Sequence, residues 1–113
     1  MKGNIFNLTN TPWAGHLTRM QPPNSHQRKI VIRAKSVFEL LNPFVSYPDW
    51  CAWYIEESPL RVSIDYFYIG RNHDIILTIS ALQAVLIMND TDKSWQLFHD
   101  LTDLINSGFS TTK

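Results

Sequence analysis

Apolar and polar residues alternate with different periods along the chain, and each period predicts an element. The short β-branched run at 29–32 predicts a strand. Residues 34–41 place apolar side chains at helical spacing and predict a helix that ends before Pro43. A second helix is expected from about Tyr47 to the Ser58-Pro59 pair.

Aromatic residues are concentrated in this second predicted helix. Trp50, Trp53 and Tyr54 lie at i, i+3 and i+4, so an α-helix would place all three on one face. This arrangement favours packing in the core, with an exposed binding stripe as the alternative.

The second half of the chain predicts a β-hairpin followed by a helix. Residues 60–69 alternate between apolar and polar side chains, which is strand periodicity. Residues 70–74 form a turn sequence, and the apolar run 75–79 predicts the returning strand. Ser80 is the expected N-cap of a helix that covers 81–88.

A last helix is expected from Thr91 or Asp92 to about Asn106. Its apolar residues repeat at helical spacing, and they are Trp95, Phe98, Leu101, Leu104 and Ile105. The resulting order is β-α-α-β-β-α-α, without the strand–helix–strand alternation of a parallel sheet. The pattern therefore predicts a small single α+β domain over 29–108, with a β-hairpin packed on helices.

The ends of the chain are expected to differ from this domain. Residues 1–28 contain turn-forming Asn and Pro residues and no sustained period, so they predict a basic, partly ordered N-terminal arm. Large apolar groups such as Phe6 and Trp13 suggest that part of the arm docks on the domain or on a neighbouring subunit. Residues 109–113 are expected to form a flexible tail.

Composition limits the class of protein. The chain has 113 residues, which is too few for two ordinary domains. Hydrophobic residues make up 44% of it, which is enough for one core. No apolar run reaches the roughly 18 residues of a membrane span, and the first residues lack the pattern of a secretory signal. Together with the single cysteine, Cys51, these features predict a cytoplasmic protein without an internal disulfide.

Charge is distributed unevenly although the net charge is zero. Residues 1–38 contain six basic residues and no acidic one, whereas residues 39–113 contain ten acidic and four basic ones. Such asymmetry concerns partners and solubility rather than fold. The basic part could lie on the acidic part of the same chain or of a second copy, or it could contact another molecule.

The usual catalytic patterns are missing from the sequence. Glu56-Glu57 would point about 100° apart on a helix, and Cys51 beside Trp50 is expected to be a buried thiol. His99-Asp100 with Asp103 lacks the second ligand cluster of a metal site. We therefore expect a binding protein rather than an enzyme, with no metal and no cofactor.

Three groups of residues are candidates for binding. The acidic face of the last helix is either a solvated surface or a surface matched to a basic partner, and its members are Asp90, Asp92, Asp100 and Asp103. The aromatic residues that could support self-association or partner binding are Phe6, Trp13, Trp95 and Phe98. The basic residues that could contact nucleic-acid phosphates are Arg19, Arg28, Lys29, Arg33 and Lys35.

Scattered residues over about 29–95 follow the pattern of a known family. They are Val31-Ile32-Arg33-Ala34-Lys35, Val37-Phe38-Glu39-Leu40-Leu41, Tyr47 with Trp50, Ile55-Glu56, Asp65-Tyr66-Phe67, Ile76-Leu77-Thr78-Ile79-Ser80-Ala81, Ala84 with Met88, and Thr91 with Lys93. In this order they resemble phage antirepressor domains of the AntA/AntB type. The chain departs from that pattern after Trp50, where family members usually carry basic residues, and we do not expect the second domain that many antirepressors have.

The resemblance implies a phage or prophage protein that regulates transcription and lysogeny. It would bind and inactivate a repressor through protein–protein contact in the bacterial cytoplasm and so favour lytic induction. The apolar residues of the arm and of the last helix predict self-association into a homo-oligomer. Two alternatives remain open at this stage. One is a DNA-binding regulatory module that uses the basic arm, and the other is a different phage inhibitor of a host nucleic-acid-binding protein.

Overall fold

The computed structural model of the chain describes residues 11–23 and 25–108. These residues form four strands, four α-helices and one π-helical turn. In chain order the elements are β1 (Thr18–Met20), β2 (Lys29–Arg33), α1 (Ala34–Leu41), α2 (Tyr47–Cys51), the π-helical turn (Ala52–Glu56), β3 (Tyr66–Ile69), β4 (Asp74–Thr78), α3 (Ile79–Asn89) and α4 (Asp92–Asn106). No described helix is long and apolar enough to cross a membrane.

The strands form one antiparallel sheet in the order β1-β2-β4-β3. Ile32 of β2 pairs with Leu77 of β4, which pairs in turn with Tyr66 of β3. Because side chains alternate between the two faces of a strand, these residues share one face of the sheet. We call it the helix face, since the helices pack against it.

The main core lies between the helix face and the helices. The buried apolar residues of α1, α2, α3 and α4 all belong to a single cluster with Ile32 and Leu77. α3 is central in this layer, because it contacts β2, β4, the π-helical turn and α4. The structure confirms the predicted α+β class and the predicted hairpin packed on helices.

The described part of the predicted arm belongs to the domain. β1 lies within residues 1–28 and pairs along its whole length with β2. Trp13 and Leu17 are buried in the main core, and the Trp13 indole N–H donates a hydrogen bond to the Leu97 carbonyl (3.1 Å). The described part of the segment predicted as an arm therefore packs on the domain predicted for 29–108. A single aromatic side chain and a three-residue strand have no local period that a sequence pattern could detect.

The aromatic face predicted for 50–54 is divided in the structure. Trp50 is fully buried, whereas Trp53 is 51% exposed. The reason is the π-helical turn, in which the Glu57 N–H donates to the Ala52 carbonyl (2.8 Å) five residues back. This wider turn moves Trp53 off the buried face and puts Ile55 there instead.

Two element boundaries also differ from prediction. β3 begins at Tyr66 because residues 61–65 form a turn, in which the Asp65 carboxylate accepts from the Arg61 N–H (2.8 Å). Such a local side-chain bond competes with the strand ladder. α3 is capped by Thr78, whose hydroxyl accepts from the Ala81 N–H (3.2 Å), and not by Ser80.

Candidate functional site

The candidate site is the solvent-exposed side of α4. The helix begins with a capping box, in which the Thr91 hydroxyl accepts from the Ser94 N–H (3.0 Å) and the Ser94 hydroxyl accepts from the Thr91 N–H (2.8 Å). Its buried side consists of Ser94, Leu97, Leu101 and Leu104. Since one side of α4 packs on the core, the side chains at the other angular positions face solvent.

Three carboxylates lie on this exposed side. Asp92 and Asp103 are exposed, and Asp100 is partly exposed. At about 100° per residue, Asp92 and Asp103 differ by only about 20° around the helix, and at 1.5 Å per residue they are about 16 Å apart along it. We call Asp92, Asp100 and Asp103 the acidic row. It is too extended to bind one metal ion and suits a broad contact with a macromolecule.

The acidic row has no cationic partner among the residues that the structure describes. The two ion pairs within 11–23 and 25–108 join Arg33 to Asp74 (3.3 Å) and Arg61 to Asp65 (4.0 Å). Within the row itself, Asp100 accepts only a long hydrogen bond from the Gln96 side chain (3.5 Å). The charges of the row therefore remain available to a molecule that approaches α4.

An aromatic side chain borders the acidic row. Trp95 is 37% exposed, and its indole N–H donates to the carboxylate of Asp90 (2.8 Å). Its ring packs against Phe98 (5.5 Å between centroids) and His99 (6.3 Å). This hydrogen bond uses the predicted acidic residue Asp90 to hold Trp95 in place. A fixed and partly exposed tryptophan beside carboxylates has the composition of a protein-binding surface.

The other predicted self-association residues lie elsewhere. Phe98 is half-buried and packs on the main core from α4. Trp13 has no exposed surface, so its side chain supplies no contact area to a partner of the folded chain. The Trp13 ring instead lies in the main core, next to Leu97. Phe6 lies outside the described residues.

The predicted basic residues lie in two groups, one at each end of β2. Arg33, at the end of β2, is paired with Asp74, and the Lys35 ammonium lies 5.3 Å from the centre of the Tyr47 ring. At the opposite end of β2, the Arg28 guanidinium donates to the Arg19 carbonyl (3.3 Å), and Lys29 pairs with Met20. β2 is five residues long, so about 13 Å separates Lys29 from Arg33.

A groove between α2 and the β3–β4 hairpin was not predicted from the sequence. It has a volume of about 440 Å³, and its lining includes Tyr47, Glu56, Tyr68 and His73. The Tyr68 hydroxyl donates to the Glu56 carboxylate (2.6 Å), and this bond together with partial burial holds the pKa of Tyr68 well above its ordinary value. The residues come from elements separated in the chain, so no sequence spacing indicates the groove.

The groove offers no activated nucleophile. Cys51 lines its floor but is buried, and this burial raises the pKa of its thiol, so the reactive thiolate is disfavoured. Burial and the interaction with Cys51 also raise the pKa of Tyr47 well above its ordinary value. Within the described part of the chain, no three His, Cys, Asp or Glu side chains converge on a point where a metal ion could bind.

Comparison with known proteins does not identify the site. The chain matches no protein-family model, and no curated protein or solved structure shows significant similarity to it. The function is therefore argued from the surfaces described above.

Proposed function

We propose that the protein is an antirepressor-like factor that binds a DNA-binding repressor and inactivates it by protein–protein contact. The observation that carries the proposal is the acidic row on α4, which is exposed and free of ion pairs among the described residues. The pattern of residues that resembles AntA/AntB domains supplies the class of partner. In a bacterial host, such a protein would favour lytic induction of a prophage.

Charge supports this mode of action. A repressor presents a positively charged surface to the phosphates of its operator. Three carboxylates spread over about 16 Å of α4 would match such a surface in sign and in extent. Trp95, held by Asp90 at the border of the row, would supply the apolar anchor that charge alone lacks.

A mobility-shift experiment tests the proposal. A phage repressor is bound to its operator, and the purified chain is added in increasing amounts. We expect release of the operator at 0.15 M salt and weaker release as salt rises, because the contact depends on charge. The double variant D100K/D103K should need about tenfold more protein for the same release.

A matched control separates this surface from net charge. E39K/E57K changes the net charge by the same amount at exposed positions outside α4 and should release operator like the unmodified chain. Asp92 is left in place because a carboxylate in the first turn stabilises a helix. If the unmodified chain leaves the repressor on its operator, or if both double variants behave alike, the proposal is wrong.

Direct DNA binding by the basic residues receives less support, since Arg33 is paired with Asp74 and the chain has no net positive charge. Titration of the chain with random duplex DNA over a range of salt concentrations tests it in the same assay. Binding that weakens steeply with salt would favour this alternative.

A further inference from the structure

The groove between α2 and the β3–β4 hairpin continues past Tyr47 into a second hollow. The groove has a volume of about 440 Å³ and the hollow about 220 Å³, and Tyr47, Asp74 and Ile75 line both. Arg33 and Lys35 complete the lining of the hollow. We call the two together the hairpin cleft. Its size is that of a small-molecule site, and no residue of α4 is among the described residues that line it.

One end of the hairpin cleft is positively charged. The Arg33 guanidinium contacts the Asp74 carboxylate through a single nitrogen (3.3 Å), so other N–H groups of its planar fork can bind an anion. The Lys35 ammonium lies over the Tyr47 ring and has no ion pair within 11–23 and 25–108. Two cations beside one carboxylate leave a surplus positive charge. This end therefore suits a compact anionic group such as a phosphate.

The other end of the hairpin cleft combines a carboxylate with aromatic rings. The Glu56 carboxylate accepts from the Tyr68 hydroxyl (2.6 Å), which fixes its position. A carboxylate accepts hydrogen bonds and does not donate them, so a ligand must present donors here. The Tyr68 ring lies 6.1 Å from the His73 ring, and both line the cleft. A flat ring with N–H groups on its edge would satisfy both features, because such rings pack on aromatic side chains.

The sheet sets the distance between the two ends. Arg33 lies on β2 and Tyr68 on β3, with β4 between them. Two strand spacings of about 4.8 Å place these backbones about 10 Å apart. The ligand must therefore carry its anionic group and its flat ring at separate ends. A nucleoside monophosphate does so, because a ribose separates its phosphate from its base. The single cationic end fits one phosphate rather than the repeated phosphates of a nucleic-acid strand.

We propose that the hairpin cleft binds a guanine nucleoside monophosphate, with the phosphate at Arg33 and Lys35 and the base beside Tyr68 and Glu56. Guanine has a ring N–H and an amino group side by side, so both can donate to one carboxylate. In uracil the N–H lies between two carbonyl oxygens, which would face Glu56 unfavourably. The chain would thus bind a small molecule at a place separate from the acidic row on α4.

Calorimetric titration of the unmodified chain with guanosine monophosphate (GMP) tests the proposal, and amide chemical shifts locate the site. We expect saturable binding with a Kd below about 1 mM and shifts at Lys35, Tyr68 and His73. Guanosine, uridine monophosphate and inorganic phosphate each lack one of the matched groups and should bind at least about tenfold more weakly.

Three results of this titration would overturn the proposal. One is the absence of GMP binding. Another is equal binding of inorganic phosphate, which would mean an anion site only. The third is tighter binding of single-stranded RNA than of GMP, which would assign the cleft to nucleic acid.

Two pairs of variants test the two ends separately. K35M removes the ammonium and should weaken GMP binding about tenfold, whereas K93M makes the same exchange on α4 and should bind GMP like the unmodified chain. E56Q should also weaken it about tenfold, whereas E57Q, at the neighbouring position outside the cleft, should not. All four side chains are exposed, so the domain should fold in each variant.

Equal binding of GMP by the two members of either pair would show the proposal to be wrong. None of these measurements involves a repressor, so failure here is distinct from failure of the proposed function.

Discussion

Replacing Trp13 by alanine should destabilise the whole domain. Its side chain is fully buried, although it lies in a part of the sequence without sustained periodicity. A buried tryptophan removes about 150–250 Å² from solvent, which at about 25 cal/mol per Å² corresponds to about 4–6 kcal/mol as an upper value. Measured Trp→Ala substitutions in cores cost about 3–5 kcal/mol. We expect a loss of about 4 kcal/mol in the free energy of unfolding.

Urea unfolding followed by far-UV circular dichroism measures this loss without relying on tryptophan fluorescence. With a slope of about 1.5 kcal/mol per molar urea, the midpoint should fall by about 2–3 M. W13F retains an aromatic ring and removes the hydrogen bond to the Leu97 carbonyl. It should cost only about 1–2 kcal/mol, and it keeps the experiment informative if the alanine variant does not fold.

The control for this experiment is W53A. Trp53 is 51% exposed, so its loss should cost less than about 1 kcal/mol. If W13A and W53A destabilise the domain equally, or if W13A unfolds within 1 kcal/mol of the unmodified chain, Trp13 is not part of the core. The assignment of residues 11–23 to the domain would then be wrong.

Two further predictions concern a helix cap and a tyrosine. T78A should cost about 1 kcal/mol in urea unfolding, because the Thr78 hydroxyl caps α3 at the Ala81 N–H, whereas S80A at an exposed position should cost less than about 0.5 kcal/mol; equal costs would contradict the cap. The pKa of Tyr68 is raised in the folded chain by its bond to Glu56, so an alkaline titration of phenolate absorbance should show Tyr68 ionising later than a free tyrosine. The unfolded chain loses this proton near pH 10, so the stability contributed by Tyr68 is complete below pH 10 and falls as pH rises above it. Y68F should remove this contribution to the loss of stability at alkaline pH. An unchanged dependence of stability on pH in Y68F would refute the coupling.

The features that could be predicted from sequence are those with a local cause. α4 was predicted almost to the residue, because Thr91 supplies the capping oxygen and the apolar residues repeat from Trp95 to Ile105. The hairpin was predicted as well, since Gly70 lies between two apolar runs and a glycine there favours a turn. In the structure Gly70 takes φ +72° in that turn. Each of these signals lies within a few residues of the structure that it determines.

The features that could not be predicted depend on contacts between distant parts of the chain. Trp13 is buried because Leu97, 84 residues later, lies against it. Thr78 and Ser80 are both good capping residues, and the choice between them follows from how far β4 pairs with β2, where Val31 lies opposite Thr78. The π-helical turn that exposes Trp53 lies within one helix, yet no residue type in it demands the wider turn.

The candidate site shows the same division between sequence and structure. The sequence predicts one acidic group over 90–103, and the structure gives its members two roles. Asp90 fixes Trp95 through a hydrogen bond, whereas Asp92, Asp100 and Asp103 form the exposed row. The two oppositely charged parts of the sequence also meet in the structure, because Arg33 of the basic first third pairs with Asp74 of the acidic remainder.

Screening by salt limits how the acidic row can act. At physiological salt a charge is screened over about 8 Å, which is half the length of the row, so its carboxylates attract only a partner that is already close to α4. Long-range steering at this salt is therefore weak, and the chain has no net charge to add to it. The row is therefore better suited to selecting the orientation of a bound partner than to accelerating its arrival. Removal of the acidic row should accordingly weaken a complex and change the salt dependence of binding near 0.15 M. At low salt, where the Debye length is about 30 Å, the rate of association should also fall.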